Sequence, residues 1–391
     1  MKKLDIEIIK SIISTIKKVT KKKNVSKLHV PTLSKLEGIY LKKCLDTNML
    51  STIGPFVEIF ENKLKKITKA KHVIATINGT SALHIALKLI NINKSSEVLI
   101  PSLNFVASTN ATLYCDGTPH FIDVEEKTLG VDFDKLDNYL KKNTKQVNQK
   151  CLNIKTKKII KAIIPTHLYG HPVNIKKLII LAKKYNLKII EDAAEGVGSL
   201  YKGKHVGTFG DMGILSFNGN KTITTGGGGA ILTNNSIIAN KARHLISVSK
   251  EKKKFDLSHD QIGYNYKMTN LHAAIGCAQL QKMNKLLSNK KKLFKAFEKA
   301  FKSNENVTMF KQPLMARSNY WLNTILLKKT KSLLRNKILE KGKKSSIALR
   351  PAWKVLPELK FLKQYPKMNI SQSKQLSKRI INLPSSSNLI N

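Results

Sequence analysis

The sequence predicts an α/β fold, with a mostly parallel sheet in a large domain and a smaller C-terminal α/β domain. Between Lys71 and Thr233, short apolar strand patterns alternate with helical patterns, which is typical of a parallel sheet covered on both faces. Beyond this region lysine-rich helices dominate, with only short strands between them. The 391 residues, 41% of them hydrophobic, allow one large or two ordinary domains with a substantial core. We expect a helical extension over residues 1–54, a large domain over 55–250 and a small domain over 251–391.

The N-terminal segment is predicted to form an amphipathic helix and not a targeting signal. Leu4, Ile8, Ile12 and Ile16 repeat at helical spacing. Charged residues interrupt the apolar region and no small-residue cleavage site follows, so we do not expect a secretory signal. The basic stretch at 17–27 is typical of an exposed linker. No apolar run approaches membrane-spanning length, and a cytoplasmic location is expected.

The elements of the large domain follow from apolar runs and turn signals. Strands are predicted at Val73–Thr76, Val98–Ile100, His120–Ile122, Ile159–Pro165 and Leu187–Ile190. Helices are predicted at Ala82–Ile90, from Asn104 onward, and at Ile175–Tyr185. A long helix from Asn270 to about Phe294 is expected to carry the small domain.

One lysine stands where neither helix nor core packing requires it. Ile214–Phe217 is a short strand pattern, residues 218–220 have turn chemistry, and Ala230–Thr233 is a second strand pattern. Lys221 is therefore expected at a tight bend, beside four glycines that allow a ligand to approach the backbone. Phosphate-loop and dinucleotide motifs do not fit this spacing. The remaining interpretations are a solvated charge or a Schiff-base lysine, and the second requires partners elsewhere.

The net charge of +45 suggests a nucleic-acid partner at first sight. However, only five of the basic residues are arginines, the residue that phosphate and base recognition favours. Abundant lysine, asparagine and isoleucine are better explained by A/T-rich coding, so no specific nucleic acid is expected. The four cysteines have no paired spacing, which indicates reduced thiols and no metal site.

Three predicted strand ends carry residues suited to a ligand, at the edge where open α/β sheets bind them. Gly79, Thr80 and Ser81 open a helix whose N-terminus suits a phosphate, although an ordinary helix cap explains them too. Asp192 follows the strand at 187–190. Its carboxylate either faces a ligand at the edge of the sheet or caps the helix that follows. Phe105 is an aromatic ring that either stacks on a ligand or lies in the core. Together with Lys221 they indicate pyridoxal 5′-phosphate, which needs a lysine, a carboxylate at its ring nitrogen and a phosphate site.

Five segments match a known family in order: 78–83, 101–110, 191–195, 210–229 and 263–274. In them the chain resembles the DegT-type nucleotide-sugar aminotransferases, which have the type I fold of pyridoxal phosphate enzymes. The resemblance extends from about Leu28 to the C-terminus. It implies a transaminase, with a smaller C-terminal domain after the cofactor-binding domain.

The resemblance implies roles for individual residues. Lys221 is similar to the Schiff-base lysine, and Asp192 to the partner of the pyridine nitrogen. Thr80, Ser81 and Ser216 match positions that bind the phosphate. Phe105 matches the position of the aromatic ring that stacks on the cofactor, and Glu195 matches a position beside the cofactor ring. Asn265 matches a position that reaches the phosphate from a second subunit, which implies a homodimer with shared active sites. Lys267 stands where arginine is common, and Gly227 replaces a frequent glutamate.

The N-terminal helix and the segments at 28–32, 218–220, 226–229 and 379–386 look most like the subgroup named for legionaminic acid biosynthesis. That subgroup implies a UDP- or GDP-linked 4-keto-6-deoxy-N-acetylhexosamine as substrate, with glutamate as amino donor. Two other functions stay open: a pyridoxal phosphate-dependent sugar dehydratase, which has histidine at the lysine position, and a non-catalytic relative.

Overall fold

The computed structural model describes residues 3–21, 25–251 and 258–390. The helices are α1 (Lys3–Thr20), α2 (Lys35–Asp46), α3 (Pro55–Thr68), α4 (Gly79–Leu89), α5 (Ala107–Leu113), α6 (Phe133–Asn143), α7 (Ile175–Lys184), α8 (Ser236–Ile246), α9 (Asn270–Gln281), α10 (Met283–Phe301), α11 (Arg335–Lys344) and α12 (Ser371–Ser377). The strands are β1 (His72–Thr76), β2 (Ser96–Pro101), β3 (Thr118–Ile122), β4 (Thr144–Val147), β5 (Lys150–Asn153), β6 (Ile159–Ile163), β7 (Lys188–Asp192), β8 (Leu200–Tyr201), β9 (Lys204–His205), β10 (Met212–Ser216), β11 (Gly229–Thr233), β12 (Val307–Met309), β13 (Ala316–Arg317), β14 (Asn323–Leu327), β15 (Arg350–Pro351) and β16 (Ile380–Leu383).

The main sheet has the order β1-β11-β10-β7-β6-β2-β3, with the hairpin β4-β5 joined to β6. Strands β10, β7, β6, β2 and β3 are parallel, whereas β11 is antiparallel to both of its neighbours. Every residue of β2, β3, β10 and β11 is buried, as expected when helices cover both faces. The mostly parallel α/β sheet that the sequence predicts is confirmed.

A second sheet of order β12-β14-β16-β15 lies in the C-terminal part of the chain. Its core also includes one face of α1, because Ile8, Ile12 and Ile16 are buried in the same cluster as Phe297 of α10 and Ile381 of β16. The amphipathic helix is thus confirmed, and the helix packs on the C-terminal part. The three predicted segment boundaries stay a prediction.

Three local predictions differ from the structure. The long helix from Asn270 is broken at Lys282, so that α9 packs in the core of the large sheet while α10 packs against α1. The helix predicted from Asn104 begins at Ala107. The predicted linker is helical up to Thr20, and its residues 22–24 lie outside the described residues.

No helix in the described ranges is both long enough and apolar enough to cross a membrane.

Candidate active site

The predicted site residues meet at one edge of the main sheet. Asp192 ends β7 and Ser216 ends the neighbouring parallel strand β10. Since β1 and β10 are both antiparallel to β11, they run in the same direction and end at this same edge. The chain then enters α4 at Gly79, directly after β1.

Gly79, Thr80, Ser81 and Ser216 form a group that we call the phosphate cup. Gly79 lies against Ser216, because a Cβ at position 79 would stand 3.0 Å from the Ser216 Cβ. Asn78 caps α4, its Oδ1 accepting the Ser81 N–H at 2.8 Å. Within the described residues, the hydroxyls of Thr80, Ser81 and Ser216 have no hydrogen-bond partner. Free hydroxyls at the positive end of a helix suit a phosphate group.

Lys221 lies in the loop after β10, as the sequence predicts, and its side chain is 14% exposed. Its Nζ is 3.3 Å from Glu195 Oε1 and 4.1 Å from the centre of the Trp321 ring. The Trp321 indole is held in turn by its Nε1, which donates to the Asn220 carbonyl at 2.8 Å. The amine is therefore fixed between a carboxylate and an aromatic face.

Asp192 is a buried carboxylate without a cationic partner at ion-pair distance among the described residues. It accepts hydrogen bonds from Ser108 Oγ at 3.1 Å and from the Ala194 N–H at 3.2 Å. Burial raises its pKa, although the Ala194 N–H and the charge of Lys221 oppose this rise. A protonated ring nitrogen placed at this carboxylate would supply the missing positive charge.

Glu195 connects the lysine to the wall of the site. Its Oε2 accepts the Tyr169 N–H at 2.7 Å, while its other oxygen faces Lys221. Burial raises the pKa of Glu195, and the Lys221 charge opposes this rise.

Phe105 and Asn265 are both exposed. Phe105 is 52% exposed, and its ring centre lies 5.9 Å from that of Trp353; Trp353 stacks on Tyr169 at 5.5 Å. The core alternative for Phe105 is therefore wrong, whereas its stacking on a ligand stays a prediction. Asn265 forms a backbone bridge with Ser247 and has no side-chain partner among the described residues. Its role toward a second subunit also stays a prediction.

Several residues of the site were not predicted. Ser108 bonds to Asp192 and is held by Asn104 Nδ2 at 3.3 Å. Both residues lie in the segment 101–110 that matches the family. The signal available in the sequence was a polar residue, Ser108, one helical turn after Asn104. Tyr169 and Trp353 had no local signal, because only the tertiary fold brings them to the lysine. The sequence suggests either a sugar or nucleotide pocket or a core or surface role for Arg350, Tyr320 and Trp321. Trp321 lies at Lys221, Tyr320 is in the core and stacks on Phe294, and Arg350 is exposed.

These residues fit pyridoxal 5′-phosphate. Within the part of the chain that the structure describes, the hydroxyls of the phosphate cup have no partner and Asp192 has no cation at ion-pair distance. The Lys221 amine lies 3.3 Å from Glu195, in the loop that follows β10. No group of three or more histidine, cysteine, aspartate or glutamate side chains in the described ranges is arranged to hold a metal ion.

Known proteins share this sequence and fold. Residues 31–391 match the DegT/DnrJ/EryC1/StrS aminotransferase family. The chain is 36% identical over 371 residues to the GDP-perosamine synthase of Escherichia coli O157:H7, covering 93% of this chain and 94% of that protein. It is 33% identical over 288 residues to the UDP-4-amino-4,6-dideoxy-N-acetyl-beta-L-altrosamine transaminase of Campylobacter jejuni, covering 73% and 72%.

The fold is shared as well. A DegT DnrJ EryC1 StrS aminotransferase from Brucella abortus superposes with a TM-score of 0.82 at 25% identity, covering 90% of this chain and 91% of the other. The chain therefore belongs to the DegT/DnrJ/EryC1/StrS aminotransferase family, whose members use pyridoxal 5′-phosphate.

Proposed function

We propose that this enzyme transfers an amino group from glutamate to C4 of a nucleotide-linked 4-keto-6-deoxy sugar. The observation that carries the proposal is the position of the Lys221 amine, 3.3 Å from buried Glu195 and in one site with Asp192 and the phosphate cup. The names of the Escherichia coli and Campylobacter jejuni relatives support a nucleotide sugar. GDP is the favoured nucleotide because the relative with 36% identity is a GDP-perosamine synthase; a UDP-linked N-acetylhexosamine is the alternative.

Each residue has a task in this reaction. Pyridoxal phosphate, when bound, withdraws electrons from the carbon that bears the amine and carries the amino group between the two substrates. Lys221 Nζ holds the cofactor at rest and, once displaced, takes a proton from the donor carbon and returns one to the acceptor carbon. Asp192 keeps the ring nitrogen protonated, and the phosphate cup orients the cofactor. Glu195 lies within reach of the lysine proton.

The reaction runs in two halves at one site. In the first half, glutamate gives up its amino group, one water is consumed, and 2-oxoglutarate leaves. In the second half, the keto sugar receives the amino group at C4, and its keto oxygen leaves as one water. Asn265 of a second subunit would complete each phosphate cup, so the enzyme acts as a homodimer. We place the reaction in the cytoplasm, in the synthesis of a surface polysaccharide or a nonulosonic acid such as legionaminic acid.

A substrate screen tests this function. The holoenzyme is incubated with glutamate and with UDP-, GDP- or dTDP-linked 4-keto-6-deoxy sugars, and the amino sugar is detected by mass spectrometry. We expect amination of the GDP sugar, a cofactor absorbance band that glutamate bleaches, and parallel double-reciprocal lines. A deoxygenated sugar without nitrogen would instead indicate a dehydratase, and an absorbance band that no amino donor changes would indicate a non-catalytic relative.

A further inference from the structure

One buried lysine lies behind the wall of the site. Lys290 is 1% exposed, and among the residues that the structure describes it is the one buried lysine. It lies on the inner face of α10, where the other buried side chains are apolar: Met283, Leu286, Leu293, Phe294, Phe297 and Phe301. An apolar side chain at this position would pack without the free-energy cost of burying an amine. The reason for a lysine here must therefore lie in the polar contacts of its amine.

The Lys290 amine joins two segments of main chain. Its Nζ donates hydrogen bonds to the Ser385 carbonyl at 2.7 Å and to the Trp321 carbonyl at 3.1 Å. Within the described ranges, no carboxylate lies at ion-pair distance from this amine. Burial lowers the pKa of Lys290 to about 7. Since a neutral amine still has two N–H groups, both of its charge forms can supply both hydrogen bonds.

Trp321 is held at three points, and Lys290 is one of them. The Trp321 main-chain N–H donates to Asn319 Oδ1 at 2.8 Å, and its carbonyl accepts from Lys290. Its indole Nε1 donates at 2.8 Å to the carbonyl of Asn220, the residue that directly precedes Lys221. The centre of the indole ring lies 4.1 Å from Lys221 Nζ. The indole therefore contacts both the loop that carries the reacting amine and the amine itself.

We propose that Lys290 is a positioning residue of the transamination: by holding the Trp321 carbonyl, it keeps the indole against Lys221 and so fixes the place of the reacting amine. This inference rests on the proposed function, in which Lys221 Nζ moves a proton in each half of the reaction. The amine must lie in the same place both times, because a misplacement of about 1 Å can cost about a hundredfold in rate. Lys290 acts on this amine through Trp321.

Tryptophan fluorescence tests the contact between Lys290 and Trp321 without any turnover. Trp321 and Trp353 are the only tryptophans of the chain, so in a Trp353→Phe background the emission reports on Trp321 alone. Lys290→Met keeps a long apolar side chain but removes the amine from both carbonyls. In the cofactor-free enzyme we expect this change to shift the Trp321 emission to the red and to increase its quenching by acrylamide. Lys291→Met, at the exposed neighbouring position, is the matched control and should change neither.

Rapid-mixing kinetics of the holoenzyme test the effect on Lys221. Lys290→Met should slow the glutamate half and the keto-sugar half by the same factor, about tenfold or more, because Lys221 moves the proton in both halves. The glutamate concentration that gives the half-maximal rate should stay unchanged, since the groups that bind the donor are intact. Lys291→Met should react at the wild-type rate in both halves.

A double-mutant cycle shows whether Lys290 acts through the indole. Trp321→Phe keeps the main-chain carbonyl but removes the indole N–H that bonds to Asn220. In this background we expect Lys290→Met to slow the two halves by no more than about twofold, which is the limit of additivity between independent sites. The same large factor in both backgrounds, wild-type rates in Lys290→Met, or unchanged quenching of Trp321 would overturn the proposal.

A second variant covers the case in which Lys290→Met does not fold. Lys290→Gln keeps a polar end on a side chain that is one atom shorter, so it is less disruptive in the core but places its N–H groups away from the two carbonyls. It should give the same changes in fluorescence and in both half-reactions, at a smaller size. A folded Lys290→Gln enzyme with wild-type quenching and wild-type rates would overturn the proposal equally.

The two proposals fail separately. If Lys290→Met makes Trp321 accessible but no amino donor bleaches the cofactor band of the wild-type enzyme, the proposed function is wrong and the hold of Lys290 on Trp321 stands. If the wild-type enzyme aminates a nucleotide sugar and Lys290→Met does so at the same rate, the function stands and the positioning role is wrong.

Discussion

At the scale of single residues, the chemistry depends on two buried carboxylates and one amine. Asp192 and Glu195 are three positions apart, yet they face different partners because the turn after β7 separates their side chains. Among the described residues, the Asp192 carboxylate accepts hydrogen bonds from Ser108 and from the Ala194 N–H of its own turn, whereas the Glu195 carboxylate faces Lys221. The first is therefore suited to a ring nitrogen and the second to the lysine amine.

We predict that Asp192→Asn keeps pyridoxal phosphate bound but lowers kcat by at least about a thousandfold, equivalent to about 4 kcal/mol. Without the carboxylate the ring nitrogen loses its proton, and the cofactor ring withdraws electrons less strongly from the reacting carbon. The check is kcat with the cofactor content measured by absorbance. Ser108→Ala removes one hydrogen bond to the carboxylate and should cost about tenfold. Near-normal turnover in Asp192→Asn would place the ring nitrogen elsewhere.

A second residue-scale prediction concerns the stability of the cofactor-free enzyme. Burial raises the folded-state pKa of Glu195 above its ordinary 4.5, so the folded state holds this proton more tightly than the unfolded state does. The resulting stability is fully present below about pH 4.5 and is lost as the pH rises through the raised pKa. Glu195→Gln should therefore gain stability relative to wild type as the pH rises.

Urea unfolding at several pH values between 4.5 and 8 measures this difference in the free energy of unfolding. Glu305→Gln, at an exposed position, serves as the control and should show no such trend. A stability difference between Glu195→Gln and wild type that is constant with pH would refute the effect of burial on Glu195.

The sequence could identify Lys221, Asp192 and the cup residues because each belongs to a short segment with its own chemistry. Lys221 stands between turn residues and glycines, and the cup residues open a helix after a strand. Trp353 and Tyr169 could not be found in this way, since they are distant in sequence and meet only after folding.

At the scale of elements, the position of the phosphate cup depends on close contact between α4 and β11. A Cβ at Gly229 would lie 2.5 Å from the Asn78 backbone carbonyl carbon. Only glycine allows this approach, so the first residue of β11 sets how far the N-terminus of α4 can move towards Ser216.

We predict that Gly229→Ala destabilises the enzyme by about 1–3 kcal/mol and weakens binding of pyridoxal phosphate, because the helix end must move away from the strand. Gly38→Ala in α2 is the control: nothing lies within 4 Å of its added Cβ, and alanine should stabilise that helix by about 0.5–1 kcal/mol. Thermal unfolding and cofactor titration measure both variants. Equal stability and equal affinity for pyridoxal phosphate in the two variants would show that the contact between Gly229 and Asn78 does not determine the position of α4.

The type of an element was predictable where its apolar run was clear, whereas its ends were predicted only approximately. The strands at β1, β2, β3 and β7 were predicted within two residues of their bounds. The break at Lys282 was missed because the helical pattern continues through it. What decides the break is tertiary packing, since α9 and α10 pack against different neighbours.

At the scale of the whole molecule, the site is incomplete without a second subunit if the role of Asn265 is as proposed. We predict that Lys221→Ala and Asn265→Ala, each inactive alone, regain activity when their subunits are mixed. A hybrid dimer would carry one intact site, with Lys221 from the Asn265→Ala chain and Asn265 from the Lys221→Ala chain. Activity after subunit exchange, verified by differently tagged chains, is the measurement. No recovered activity after proven exchange of two inactive variants would contradict the shared site.

We expect pyridoxal phosphate to be attached to Lys221. Borohydride reduction of the holoenzyme followed by peptide mapping tests it directly. Lys290 is the strongest competitor, because it is fully buried and burial lowers its pKa to about 7, which favours a nucleophilic amine. However, its Nζ donates hydrogen bonds to the carbonyls of Trp321 and Ser385, so the amine is already engaged. We predict the pyridoxyl group on the peptide that contains Lys221, and a group found on Lys290 or any other lysine would contradict this assignment.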